Sequence, residues 1–196
     1  MKIRLLLLAL STLVLVSACQ KDDPIPDGEA TLQLDGPNAT GPLLEAGYHE
    51  LAVYFSNTIM GQYANWKLSE VTWFGSCVNQ GVSTDSCVVK IYDTGSATNS
   101  PGALLYEADV TSTLVADIDG QWRTHLLPTP LTVSGDGIWV SIAIKQDTER
   151  QFIGCDAGPN QANGDWLYKE SDGNWQSYVL RTGESVNWNI RAVVEE

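Results

Sequence analysis

Apolar and polar residues alternate with a period of two in run after short run of this chain, and Gly, Pro, Asn and Asp cut the runs apart. The runs fall at residues 31–34, 50–55, 68–74, 88–92, 103–110, 121–127, 138–144, 151–153, 166–168, 175–180 and 188–194. Successive side chains of a strand point to opposite faces, so each run predicts a strand with one face buried. The run at 138–144 (IWVSIAI) is apolar almost throughout, which predicts cover on both faces and a core position for Trp139. In the last run Trp188 and Ile190 share one face, while Asn187, Asn189 and Arg191 share a polar one. Pro101-Gly102 and Gly135-Asp136-Gly137 are turn chemistry. Only residues 56–64 (SNTIMGQYA) read as one or two helical turns. Short strands separated by turns predict an all-β domain, an antiparallel β-sandwich, and their number favours a jelly roll over an immunoglobulin-like arrangement.

The N-terminus follows a different logic. Lys2 and Arg4 form a positive n-region, residues 3–16 an apolar run, and Ser17-Ala18 a small-residue exit before Cys19. The run is short for a bilayer-spanning helix and lacks a stop-transfer flank, so it reads as a signal. Residues 15–19 (LVSAC) resemble the bacterial lipobox, in which the cysteine is acylated and the peptide is cut before it. That implies lipidation of Cys19 and attachment to the membrane through lipid, each buried methylene contributing about 0.8 kcal/mol. Residues 20–23 (QKDD) resemble the lipoprotein export signal of Bacteroidetes-type bacteria, which implies the outer membrane and its exterior face. The plainer alternatives are a secretory signal with an incidental cysteine and a solvated tether. The expected organisation is a signal at 1–18, a lipidated flexible tether at 19–29 and the β-sandwich at 30–196.

Composition narrows the partners. The net charge of −13 becomes −15 once Lys2 and Arg4 leave with the signal. So acidic a chain lacks the basic stripe of a nucleic-acid binder and has no electrostatic attraction to anionic headgroups. Apolar content is ordinary, so a core is expected. With Cys19 acylated, Cys77, Cys87 and Cys155 remain. Cys77 and Cys87 bracket a polar loop between two strand-like runs, and a disulfide between them is the economical pairing, contributing roughly 2–3 kcal/mol. Cys155 is then a buried thiol, although its pairing with either of the others stays open.

Several blocks recur in a familiar order: residues 89–93 (VKIYD), 101–107 (PGALLYE), Trp122 opening a strand that ends at 126–130 (LLPTP), 137–140 (GIWV), 154–159 (GCDAGP), 164–168 (GDWLY), 173–175 (GNW) and 187–191 (NWNIR). Together they resemble a β-sandwich module appended to secreted peptidases, adhesins and cell-surface proteins of Bacteroidetes. The resemblance spans residues 46–194 and implies architecture and an extracellular setting, not a reaction.

Catalytic and metal motifs are sparse. His49 and His125 have no nucleophile or metal ligand at a recognisable offset, and no nucleophile elbow, His-Glu-x-x-His or phosphate loop occurs. Glu45 and Glu50 fall on opposite faces of a regular strand, unlike a paired-carboxylate glycosidase. The chain is therefore read as a non-enzyme with no cofactor. Ca²⁺ is the ion its acidic turns suit, with Asp117, Asp119 and Asp156 as weak candidates and Asp165 flanking the same loop as Asp156; a solvated turn is the simpler reading. The ligand-binding candidates lie in 154–175: Trp175, Trp166 and Tyr168 as stacking platforms, Asp165 and Asp172 as hydroxyl acceptors. Either the indoles cap the core or they hold a sugar ring. The expected function is an extracellular binding or adhesion module, with a glycan as first partner and a protein as second. A structural subunit of an outer-membrane assembly is the alternative, and a carboxylate-based hydrolase the third.

Overall fold

The computed structural model describes residues 28–75, 86–95, 99–113 and 120–196, which build two antiparallel sheets packed face to face. The strands are β1 (Glu29–Leu32), β2 (Leu43–Leu44), β3 (Gly47–Ser56), β4 (Lys67–Gly75), β5 (Ser86–Asp93) and β6 (Leu104–Asp109). They continue as β7 (Gln121–Thr132), β8 (Gly137–Gln146), β9 (Arg150–Gln151), β10 (Trp166–Lys169), β11 (Asn174–Ser177) and β12 (Ile190–Glu195). One sheet has the order β1-β12-β4-β7, the other β11-β10-β3-β8-β5-β6, and β2 pairs with β9 alone.

Setting aside β2, β9 and the β10–β11 hairpin leaves eight strands. Their first, eighth, third and sixth members form one sheet, and their second, seventh, fourth and fifth the other. That interleaving is the jelly-roll order, so the expected all-β sandwich is what the chain forms. The β10–β11 hairpin is added to it, extending the second sheet beyond β3.

The core lies between the inner faces. Leu51, Val53 and Phe55 of β3, Ile138, Val140, Ile142 and Ile144 of β8, and Val89 and Ile91 of β5 meet Leu68, Val71, Trp73, Ile190, Ala192 and Val194 of the opposing sheet. Each fully buried aliphatic side chain there contributes about 1.5–3 kcal/mol. β8 is covered on both faces, as its composition predicts. Trp139, 1 % exposed, lies on the face away from the core, opposite in direction to Ile138 and Val140, and is covered from outside. Trp188 and Ile190 are buried as expected, but the polar face of that segment is buried too: Asn187 and Asn189 are 1 % and 0 % exposed.

Two expectations shift. The run at 121–127 extends through Pro128 and Pro130, because β7 is an edge strand whose outer N–H groups need no partner. The run at 175–180 stops at Ser177 and turns into a short helix, α2 (Tyr178–Thr182), while α1 (Asn57–Met60) falls inside the expected helical segment. Among the described residues no disulfide forms; Cys87 and Cys155 are both buried and not joined to each other. Cys77 lies outside the described residues, as do Cys19, the expected signal and most of the expected tether. Among the described residues no helix is long and apolar enough to cross a membrane.

Candidate functional site

Strand alternation and register collect a single set of side chains on the outer face of the six-stranded sheet. Tyr54, Trp139 and Tyr92 stand in one row across β3, β8 and β5; Ala52, Ser141 and Lys90 form the next, and Glu50, Ala143 and Val88 the third. The hairpin continues two of these rows, Trp166 opposite Ala52 and Tyr168 opposite Glu50, with Trp175 opposite Tyr168 on β11. Ala52 and Ala143 leave room above the sheet for the large rings beside them.

Those rings form a continuous ribbon. Tyr54 stacks on Trp139 at 4.8 Å between centroids, Trp139 meets Trp166 at 5.3 Å and Trp175 at 5.8 Å, Trp175 meets Tyr168 at 5.7 Å, and Tyr168 meets Tyr48 edge-on at 6.2 Å. Contacts of this kind add about 0.5–1.5 kcal/mol each beyond burial. Tyr48, Tyr54, Trp166, Tyr168 and Trp175 are half-buried, so each keeps part of a ring at the surface over the buried Trp139.

Beneath one end of the ribbon lies Glu50, a buried carboxylate with both oxygens engaged. Oε1 accepts from Tyr92 Oη at 2.7 Å and Ser141 Oγ at 2.6 Å. Oε2 accepts from Tyr48 Oη at 2.9 Å and from Lys90 Nζ at 3.4 Å, and Lys90 Nζ also donates to Tyr48 Oη at 3.0 Å. Burial first, and then the Glu50 charge, pushes the Tyr48 hydroxyl up to about 12; the same two causes raise Tyr92 further. Burial pulls Lys90 down, but its bond to Tyr48 and the Glu50 charge outweigh this and leave it raised. The phenols therefore stay neutral and Lys90 charged at physiological pH. A buried carboxylate is tolerated only with such donors, and these leave it little capacity for further ones.

The sequence-predicted ligand residues divide. Trp166, Tyr168 and Trp175 come together on this face. Asp165 does not join them: it is 2 % exposed, and its Oδ2 accepts from Ser177 Oγ at 2.7 Å and from Val179 N at 2.9 Å, tying down the start of α2. Asp172 sits in the hairpin turn, where its carboxylate pairs with Arg181, whose charge-assisted bond holds it below the usual carboxylate range. Arg181 lines a groove with Leu167 and Gln176, on the side of the hairpin opposite Trp175.

Asp156 is a structural anchor in this arrangement. Its Oδ1 accepts from Gly158 N at 2.9 Å and Asn187 N at 2.8 Å, and its Oδ2 from Gly36 N at 2.8 Å and Asn187 Nδ2 at 2.9 Å. Asp117 and Asp119 lie outside the described residues. Among the described residues no group of three or more His, Cys, Asp or Glu is placed to hold a metal ion. His49 Nε2 donates to the Glu45 carbonyl at 2.8 Å, and His125 Nε2 meets Tyr106 Oη at 2.7 Å; neither faces the ribbon.

Glu50, Tyr48, Tyr54, Tyr92 and Lys90 are the members of the face that motif reasoning missed. A signal existed: alternation through residues 47–56 puts Tyr48, Glu50 and Tyr54 on one side of one strand. Of the grooves among the described residues, one lies away from the ribbon and another abuts its Tyr54 end, where Tyr54 Oη and Thr94 Oγ1 are 2.6 Å apart. The first, of about 430 Å³, is lined by Leu43, Leu44, Leu167, Lys169, Tyr178 and Leu180; the second, of about 640 Å³, lies at the strand ends among Asp93, Thr94, Leu105, Ser134 and Asp136. Comparison of the chain with protein-family models, curated proteins and solved structures finds no match.

Proposed function

We propose that this chain is a lipid-anchored module of the outer membrane, facing the cell exterior, that binds an extracellular glycan on the outer face of its six-stranded sheet. The address rests on the lipobox-like residues 15–19 and the acidic stretch after Cys19. The binding reading is carried by one observation, the unbroken ribbon from Tyr54 through Trp139, Trp175 and Tyr168 to Tyr48. Half-buried rings on a rigid sheet offer flat apolar faces to the C–H surface of a sugar, and phenols and indoles beside them offer hydrogen bonds. Because both Glu50 oxygens are engaged by the scaffold, Glu50 supports a positioning role over acid catalysis. On this reading no metal or cofactor takes part in binding.

The test is binding of the full-length protein, purified in detergent, to an array of extracellular polysaccharides, beside Trp175→Ala. Saturable binding to one glycan class, weakened at least about tenfold in the variant with its melting temperature preserved, is the expected result. Absence of glycan binding, with capture of a defined extracellular protein instead, would favour the protein-partner reading. The exposed Leu43 and Leu180 beside the 430 Å³ groove supply the surface for that second reading.

A further inference from the structure

We infer that the ligand of the aromatic face is an uncharged polysaccharide, read through hydroxyl groups that Glu50 holds in place. The inference rests on the glycan reading above and narrows it to one chemical class.

The first argument is charge. Lys90, the cation of the ribbon, is already compensated: Glu50 Oε2 lies 3.4 Å from its ammonium, and Glu107 is its register partner on the neighbouring strand β6. Asp109 stands beside that, opposite Val88, and Lys145 lies at the far end of the face opposite Tyr48. The face thus carries no surplus of positive charge, and the chain behind it has a net charge of −13. A polyanion approaching it meets more carboxylates than ammonium groups, Glu50, Glu107 and Asp109 against Lys90 and Lys145.

The second argument is hydrogen-bond polarity. Tyr48 and Tyr92 each direct their single hydroxyl proton into Glu50. What they retain for a ligand is acceptor capacity: both lone pairs of Tyr92 Oη, and the one on Tyr48 Oη not taken by Lys90. Acceptors require a ligand that donates. A sulfate or carboxylate has no proton to give, whereas a sugar hydroxyl has one. Among the described residues, Trp139 Nε1 is a buried donor of the ribbon with no partner, and Lys90 keeps one ammonium proton beyond its two bonds. A hydroxyl serves both needs, donating to the phenols and accepting from Lys90.

The test compares the full-length protein on neutral polysaccharides (mixed-linkage β-glucan, xylan, mannan) and acidic ones (polygalacturonate, heparin). It is run from about 0.01 M to about 1 M salt, which shortens the screening length from about 30 to about 3 Å. The expected result is binding to a neutral polysaccharide that changes by less than about twofold across that range, and that Tyr92→Phe weakens by about threefold to tenfold. Tyr48→Phe is the second variant, should Tyr92→Phe lower the melting temperature. If an acidic polysaccharide binds more tightly than every neutral one and is released by salt, the neutral class is overturned while the glycan reading survives. If neutral binding is unaffected by both phenol variants, the hydroxyl readout is overturned. If no polysaccharide of either class binds, the glycan reading itself falls.

Discussion

The Tyr92 hydroxyl donates to Glu50 Oε1 at 2.7 Å, joining β5 to β3 across the intervening strand β8 and across 42 positions of sequence. Ser141, on β8 between them, donates to the same oxygen at 2.6 Å. The outer face of the six-stranded sheet is thereby fastened from below by one carboxylate, and the phenol beside the aromatic ribbon has its proton fixed in direction.

Removing that carboxylate takes the acceptor shared by a half-buried ammonium and three hydroxyls. Glu50→Ala is expected to destabilise the fold by about 1–3 kcal/mol. Glu50→Gln, which keeps the volume and one acceptor oxygen, is expected to cost less. Urea unfolding midpoints of the two variants check this, and equal stability of Glu50→Ala and the parent would refute the hub.

Asp156 gives a pH dependence with a definite sign. Burial on its own raises this carboxyl, but the Asn187 side chain and the backbone N–H groups of Gly36, Gly158 and Asn187 outweigh it and hold the group below the usual range. A lowered folded-state pKa adds stability that is fully present above the unfolded value, about 3.9, and is lost as the pH falls through the folded one. Asp156→Asn is expected to cost about 2–3 kcal/mol at pH 7. The gap to the parent should narrow below about pH 4, as thermal melts at stepped pH will show.

The opposite sign holds at the first sheet. Glu29 and Glu195 face each other directly across β1 and β12, with Glu70 on the next strand. Burial, followed by the Glu29 and Glu195 charges, raises Glu70. A carboxyl raised in the folded state is destabilising once ionised, so stability falls as the pH rises from the unfolded value toward the folded one and stays lower above it. Glu70→Gln is expected to gain about 0.2–1 kcal/mol at pH 7, the range for relief of like-charge strand neighbours. The gain should vanish in acid, by the same melts.

The strands were legible in the sequence because alternation is a local signal: residues 68–74, 88–92, 103–110 and 138–144 fall within or largely on β4, β5, β6 and β8. Elements fixed by distant partners were not. Val179 enters α2 because Asp165, 14 positions earlier, accepts its N–H, and nothing local to 175–180 records that. Pro128 and Pro130 read as a strand end because edge position is a property of the sheet, not of the segment. The same distinction governs the candidate site. Trp166, Tyr168 and Trp175 stood out as a cluster in sequence, but Asp165 and Asp172 beside them are consumed by Ser177, Val179 and Arg181. Glu50 is legible in the sequence only as a carboxylate without a paired partner, because its four donors come from three strands.

The chain has seven tryptophans, at 66, 73, 122, 139, 166, 175 and 188, and each indole N–H is a separate reporter. The most direct measurement is a titration of indole-¹⁵N-labelled full-length protein with mixed-linkage β-glucan, xylan and mannan oligosaccharides, followed by the seven N–H signals. The account predicts that one of these ligands moves Trp166, Trp175 and Trp139, while Trp73 and Trp188 in the core and Trp122 on the opposite sheet stay in place. Movement of Trp122 with the ribbon signals unchanged, or no movement of any signal with all three ligands, would contradict it.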